Sequence, residues 1–204
     1  MKKIILLLVT ISMFFTGCKS EAKKEVKKDV KNEKIAFSLH SSKNKVNWTA
    51  YKTTKKVGVK GSFKKINITA NENGTSIKEA INNAEFSIPV SSVFTANSDR
   101  DSKIMRFFFR VMDNTAFLTG KLILETENSG NVIIVMNGVT SKVPFTYTIT
   151  NNKFSMNGIM NLANWNALPA LSSLNKVCGD LHKGEDGVSK TWEEVALQIT
   201  CDFN

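Results

Sequence analysis

Apolar and polar residues alternate with a period of two along most of this chain. Ile35, Phe37 and Leu39 alternate with Ala36 and Ser38, and Val46, Trp48 and Ala50 with Asn47 and Thr49. Val57, Val59, Gly61 and Phe63 follow the same rule. Period two with one apolar face predicts half-buried strands. After Lys64 and Lys65 the phase slips by one residue, and Ile66 and Ile68 take over the inner face. Such a slip predicts a bulge or bend, which helps a sheet curl. Further alternating runs cover Ala84–Val90, Leu118–Glu127, Asn131–Asn137, Lys142–Thr150, Lys153–Met160 and Glu194–Phe203. Asn128-Ser129-Gly130 and Asn137-Gly138 are hairpin signals between them. About eight strands joined by short turns give an all-β reading, antiparallel, as a barrel or a sandwich; periodicity alone leaves the two open.

Three stretches break the alternation. Ser76-Ile77-Lys78-Glu79 resembles a capping box and predicts one or two helical turns over Ile77–Asn82. Asn97 or Ser98 can cap a second short helix, with Asp99 and Asp101 in its first turn, where the helix dipole favours acids. It ends in three consecutive phenylalanines, Phe107 to Phe109. Leu162–Cys178 changes period: Trp165, Leu168, Leu171 and Leu174 fit one helical stripe, with Pro169 near its start and Gly179 suited to its stop. His182–Ser189 reads as a surface loop.

The N-terminus is a different material. Met1-Lys2-Lys3 is a positive n-region, and Ile4–Phe15 is an apolar run too short to span a bilayer. Phe15-Thr16-Gly17-Cys18 resembles the lipobox of bacterial lipoproteins, although Phe15 stands where Leu, Val or Ile is usual. What this implies is a signal peptide over 1–17 and lipidation of Cys18, which makes the chain anchored to a membrane, not spanning one. Residues 18–34 alternate acid and base with almost no apolar mass and read as a flexible lysine-rich tether. The domain is expected over 35–204, exported to the bacterial cell envelope on a periplasmic or outer face. In that oxidising compartment Cys178 and Cys201 are expected to form one disulfide.

Composition narrows the function classes. The formal charge is +10, but many lysines sit in the leader and tether, and the rest are spread along strand faces. No nucleic-acid recognition motif accompanies them, so nucleic acid is not the expected partner. There are two histidines, His40 and His182, too few for a protein zinc site at recognisable spacing. No Gly-x-Ser-x-Gly, phosphate-loop or dinucleotide fingerprint appears. No catalytic residue, metal or cofactor is expected, and the chain is read as a non-enzyme.

Ser92, Thr95, Asn97, Arg100 and Asp101, with Phe107–Phe109 after them, form a patterned segment at the centre of the chain, and it resembles the YceI-like family of bacterial exported proteins. They stand as its Ser-x-x-Thr-x-Asn-x-x-Arg-Asp pattern and the aromatic segment that follows it. Gly61-Ser62-Phe63 is similar to an early-strand motif of that family, and Gly138-Val139-Thr140-Ser141-Lys142-Val143 to one of its hairpins. The resemblance covers roughly Val46–Phe203. It departs at Asp113–Ala116, where the family often has Tyr-Pro, and at the Leu162–Trp192 insertion. What it implies is a lipocalin-like antiparallel barrel with one or two short helices that holds a polyisoprenoid or quinone-like chain. A slender apolar ligand needs an apolar wall, and the inward candidates for it are Phe63, Phe86, Ile88, Phe94, Phe107, Phe108, Phe145 and Trp165. Arg100 and Asp101 are read as braces of the turn, with a headgroup contact for Arg100 as the sharper option. The alternative reading is an anchored interaction module of the envelope that docks through the 162–190 insertion. A homodimer is compatible with either.

Overall fold

A computed structural model of the chain describes residues 36–204. The expected leader (1–17), Cys18, the tether (18–34) and Ile35 lie outside the described residues. In chain order the elements are β1 (Phe37–Ser38), β2 (Lys43–Lys52), β3 (Val57–Phe63), β4 (Asn67–Ala70), β5 (Asn73–Gly74), α1 (Ile77–Ile81), β6 (Glu85–Pro89) and β7 (Val93–Phe94). Then come α2 (Ser98–Phe107), β8 (Phe117–Leu124), β9 (Ser129–Met136), β10 (Val139–Thr150), β11 (Lys153–Asn161), α3 (Leu168–Val177) and β12 (Thr191–Asp202).

One antiparallel sheet dominates, in the order β4-β6-β8-β9-β10-β11-β12-β2-β3-β7. It curls into a half-barrel, and chain continuity brings its two free edges together. β4 is the continuation of β3 past a bend, and β7 the continuation of β6 past a single 3₁₀ turn at Val90–Ser92. Counted as two bent strands, these four elements and the other six make eight walls. The seam between them is thin. β3 and β7 share only the pairs Ser62↔Phe94 and Phe63↔Val93, extended by the Lys64 N–H donating to the Ser92 carbonyl at 2.8 Å. The phase slip after Lys65 is therefore the bend that lets the sheet curl.

Local chemistry sets the connections. Ser76 caps α1 by accepting the Glu79 N–H, while the Glu79 carboxylate accepts from the Thr75 N–H at 2.8 Å. Asn137 and Gly138 both have positive φ, as a two-residue primed turn requires. Asn151 and Asn152 do the same between β10 and β11. Asn137 also ties three segments together. Its Oδ1 accepts from the Asp113 N–H, and its amide donates to the carbonyls of Trp165 and Asn166.

The lower part of the barrel is filled. Val143, Phe145 and Tyr147 of β10 face inward and are buried. Tyr147 packs on Phe154 at 5.3 Å between ring centroids, and its hydroxyl donates to the Thr126 carbonyl. Phe154 and Met156 are fully buried there, and α1 adds Ile77, Ala80 and Ile81. The upper end carries α2, α3 and the loop that precedes β12.

The expected Cys178–Cys201 disulfide is not formed: both cysteines are free and buried. Topology forbids it. Cys178 lies beside Thr191, the first residue of β12, and Cys201 is near that strand's far end. A strand rises about 3.3 Å per residue, so ten residues separate them by roughly 33 Å, whereas a bridge needs Cα atoms within about 7 Å. Burial instead pushes the Cys201 thiol up to about 12, and raises that of Cys178 as well.

Candidate functional site: an apolar lumen with a polar mouth

A cavity of ≈ 160 Å³ occupies the upper half of the barrel. One water needs about 10–15 Å³ of such space, so the cavity has room for a slender guest. Its wall comes from period-two positions. β2 gives Val46, Trp48 and Ala50; β12 gives Val195, Leu197 and Ile199; β6 gives Phe86 and Ile88. Phe63, Leu118, Ile134, Met136 and Met160 complete the strand contribution. The roof is helical: Ile104 of α2, Phe108 and Phe109 just after it, and Leu171 and Leu174 of α3. Among the described residues that line it, Thr191 alone carries a hydroxyl, and none is charged.

Glycines make room for the rings. Trp48 stands opposite Gly61 in the β2–β3 ladder, and a Cβ built at Gly61 would come within 2.1 Å of the indole. Phe86 lies over Gly120 in the same way, and Phe145 over Gly130. Each glycine lets a cross-strand aromatic lie down along the wall, so the ring does not have to stand across the lumen. The Trp48 indole N–H is buried and has no acceptor among the described residues.

The structure places the eight expected wall residues in different settings. Phe63, Phe86, Ile88 and Phe108 line the cavity. Phe145 faces inward below it, in the packed part, 6.1 Å from Tyr147. Trp165 is fully buried outside the lining and acts as a wedge, its Nε1 donating to the Ile134 carbonyl at 2.9 Å. Phe107 ends α2 half-buried, also outside the lining, with the Arg106 guanidinium 5.4 Å from its ring centre. Phe94 is on the outside, 37% exposed, under the Lys64 ammonium at 4.1 Å. Its position is a matter of parity: Val93 and Phe63 pair facing inward, so Ser62 and Phe94 face out. An open groove of ≈ 870 Å³ passes Phe94 on that outer face, among polar side chains such as Asn47, Lys60 and Gln198.

Two other sequence expectations change. His182 is not a free surface residue but half-buried: its Nδ1 is 2.7 Å from the Thr191 hydroxyl and 3.2 Å from Asn175 Oδ1. Burial, then the charges of Lys52 and Arg100, hold its pKa below the usual imidazole range. Leu168 is exposed and outside the inner stripe of α3. Asp101 does brace its turn, its Oδ1 accepting from the N–H and hydroxyl of Thr95 at 2.9 and 2.6 Å.

Beside the roof the cavity meets a second recess of ≈ 290 Å³. The two share Trp48, Ala50, Ile104, Leu174 and Thr191. The lining of the recess is mixed: Trp48, Tyr51, Val59 and Leu181 stand beside Lys52, Asp99, Arg100, Lys103 and His182. Among the described residues no cluster of three or more His, Cys, Asp or Glu could hold a metal ion. No helix among them is long and apolar enough to cross a membrane.

Residues 37–203 match the YceI-like domain. No curated protein matches the chain. Several solved structures do. A polyisoprenoid binding domain from Saccharophagus degradans, implicated in plant cell wall breakdown, is similar with a TM-score of 0.55 at 11% identity, over 84% of this chain and 99% of that one. BcnA from Burkholderia cenocepacia is similar at 0.49 and 16% identity, over 81% and 98%. A YceI protein from Campylobacter jejuni is similar at 0.43 and 18% identity, over 68% and 84%. The chain belongs to the YceI-like domain family, and its curled antiparallel sheet with a few short helices is that family's fold.

Proposed function

We propose that this YceI-like chain is a lipid-binding protein, not a catalyst, which sequesters or carries a polyisoprenoid or quinone-like chain in its barrel. The observation that carries the reading is the wall of the upper cavity, where twenty-one lining residues include one polar side chain, Thr191. Burying a prenyl tail there gains roughly 0.8 kcal/mol per methylene-sized group. That gain must exceed association and ordering costs of several kcal/mol. Only a long apolar tail offers enough groups. The polyisoprenoid binding named for the Saccharophagus degradans domain agrees with it.

The same proposal places the protein in the bacterial cell envelope, held to a membrane by lipidated Cys18 with residues 19–34 as tether. Its support is the lipobox-like sequence before Cys18. An intact mass carrying diacylglycerol on wild type and not on Cys18→Ser tests the anchor.

The test of the lumen is native mass spectrometry of purified protein, with organic extraction of what copurifies. Wild type is expected to carry a prenyl-type lipid. Ala50→Trp, which fills the cavity from β2, is expected to come out empty while keeping its strand signal in circular dichroism. A wild-type protein that is always empty, or a variant that is equally loaded, counts against the reading. A second reading has one observation in its favour: Leu168, Val177, Leu181 and Val188 of the 162–190 insertion are exposed. In it the insertion is a docking surface, and a Leu181→Asp, Val188→Asp double variant would lose a protein partner without losing lipid.

A further inference from the structure

The outer face of the sheet carries a feature that the lumen does not use. One row of side chains runs in register across five neighbouring strands. Asn157 of β11 pairs with Gln198 of β12, Gln198 with Asn47 of β2, Asn47 with Ser62 of β3, and Ser62 with Phe94 of β7. Parity turns all five outward, because Met156, Ile199, Val46, Phe63 and Val93 beside them face in. The open groove of ≈ 870 Å³ runs along this row. We propose that the groove binds a neutral oligosaccharide, an extended glycan chain, independently of any lipid in the lumen.

The hydrogen-bonding chemistry of the row suits such a ligand. Paired strands lie about 4.8 Å apart, so the five side chains span roughly 19 Å. Each amide offers two N–H donors and a carbonyl acceptor, and the Ser62 hydroxyl does both, as sugar hydroxyls do. Among the described residues the side chains of Asn47, Ser62, Asn157 and Gln198 make no hydrogen bond within the protein, so that capacity is free for a guest. The bed also has apolar surface for the C–H faces of sugar rings. Phe94 is 37% exposed at the end of the row, and Ile159 is 64% exposed in the next row, where it pairs with Ala196. Charge is nearly absent. Lys43 and Lys45 of β2 and Lys153 of β11 point the same way farther along their strands, yet Lys60 is the one charged residue among those that line the groove. A single lysine favours a neutral ligand over an anionic one. A row of amides also differs from the apolar, aromatic centre that an interface between two copies of the chain would bury. Finally, the end wall is preset. Thr95 donates its N–H and hydroxyl to Asp101 at 2.9 and 2.6 Å, and the Lys64 ammonium sits 4.1 Å from the centre of the Phe94 ring. Ala96 is held at φ +57°, a left-handed conformation that alanine seldom enters. A wall fixed in advance lowers the ordering cost of binding.

Isothermal titration calorimetry on the full-length protein tests the site with three probes: cellohexaose, chitohexaose and glucose. Both hexamers are extended chains that can follow the row, whereas glucose covers one step of it. At least one hexamer is expected to bind about tenfold or more tightly than glucose. An Asn47→Ala, Gln198→Ala double variant and Phe94→Ala are each expected to lose about tenfold of that affinity. Thr148→Ala, which removes an exposed outward hydroxyl of β10 outside the groove, is expected to lose none. Thermal melts and lipid load of all these variants are expected to match wild type, which separates loss of the site from loss of the fold. A wild type that binds neither hexamer, or holds glucose as tightly as a hexamer, overturns the assignment. So does hexamer binding that survives both the amide and the Phe94 variants. A dimer in sedimentation velocity that Phe94→Ala dissolves, with no hexamer bound, would give the face to a second copy of the chain and overturn the proposal as well.

Discussion

At the scale of single residues, the lumen exists because three glycines accept three rings. Gly61 is the sharpest case, because its cross-strand partner Trp48 borders the cavity. Gly61→Val is expected to push the indole off the wall and destabilise the domain by about 1–3 kcal/mol, the usual cost of overpacking. At about 2–4 °C per kcal/mol for a domain of this size, calorimetry should find the melting temperature several degrees lower. The cysteines supply a pH prediction. The Cys201 thiol is raised to about 12 in the fold by burial, so the native state holds its proton more tightly than the unfolded chain. The associated stability is complete below an unfolded pKa of about 8.5–9 and is lost as pH rises toward 12. Thermal melts across that range should show a steeper decline in wild type than in Cys201→Ala, and Cys201 should resist alkylation in native protein at pH 8. Gly61-Ser62-Phe63 was legible as a motif, but its purpose was not. A glycine in an alternating strand does not say which ring will cover it. The disulfide expectation failed for a similar reason: two cysteines left over in a sequence carry no information about a whole strand's length between them.

At the scale of elements, α3 is half roof and half surface. Leu171 and Leu174 close the lumen, Ala170 is buried, and Leu168 and Val177 face out. Leu171→Asp puts a carboxylate against the guest's tail. Its expected effect is at least a tenfold loss of lipid affinity by displacement titration, with less than about 1–2 kcal/mol lost in chemical denaturation because the site is only partly buried. Equal losses in both would mean that α3 is structural and not a roof. Strands were the most legible elements, since period two survives in every one that faces the core. The Asn137-Gly138 turn was legible from its residues, whereas Asn151-Asn152 was not singled out. Phe94 shows the limit. The 3₁₀ turn at Val90–Ser92 resets the phase, and parity could not be carried from β6 into β7. Phe107 to Phe109 show it again, because only two of the three consecutive rings can face the lumen when a helix ends among them.

At the scale of the whole molecule, the chain divides its barrel into a packed lower part and an open upper part. The lower part supplies the close-packed burial on which most stability depends. The upper part can then leave apolar surface uncovered without unfolding the whole. Both halves use the same residue types, which is why the sequence did not separate the wall residues from the core. Phe145 and Phe86 sit in identical alternating patterns and are told apart only by depth.

That filled floor gives the barrel a ruler. A tail entering from the mouth stops where Met156, across the ladder from Ile199, and its neighbours close the way. Every carbon beyond that depth must fold back or stay outside. Affinity for a series of prenyl alcohols is therefore expected to rise with length and then level off at a fixed number of isoprene units. Met156→Ala, at a stability cost of about 2–5 kcal/mol, should move the plateau toward longer chains. A plateau that is absent, or that ignores Met156, would mean the barrel selects its guests by something other than length.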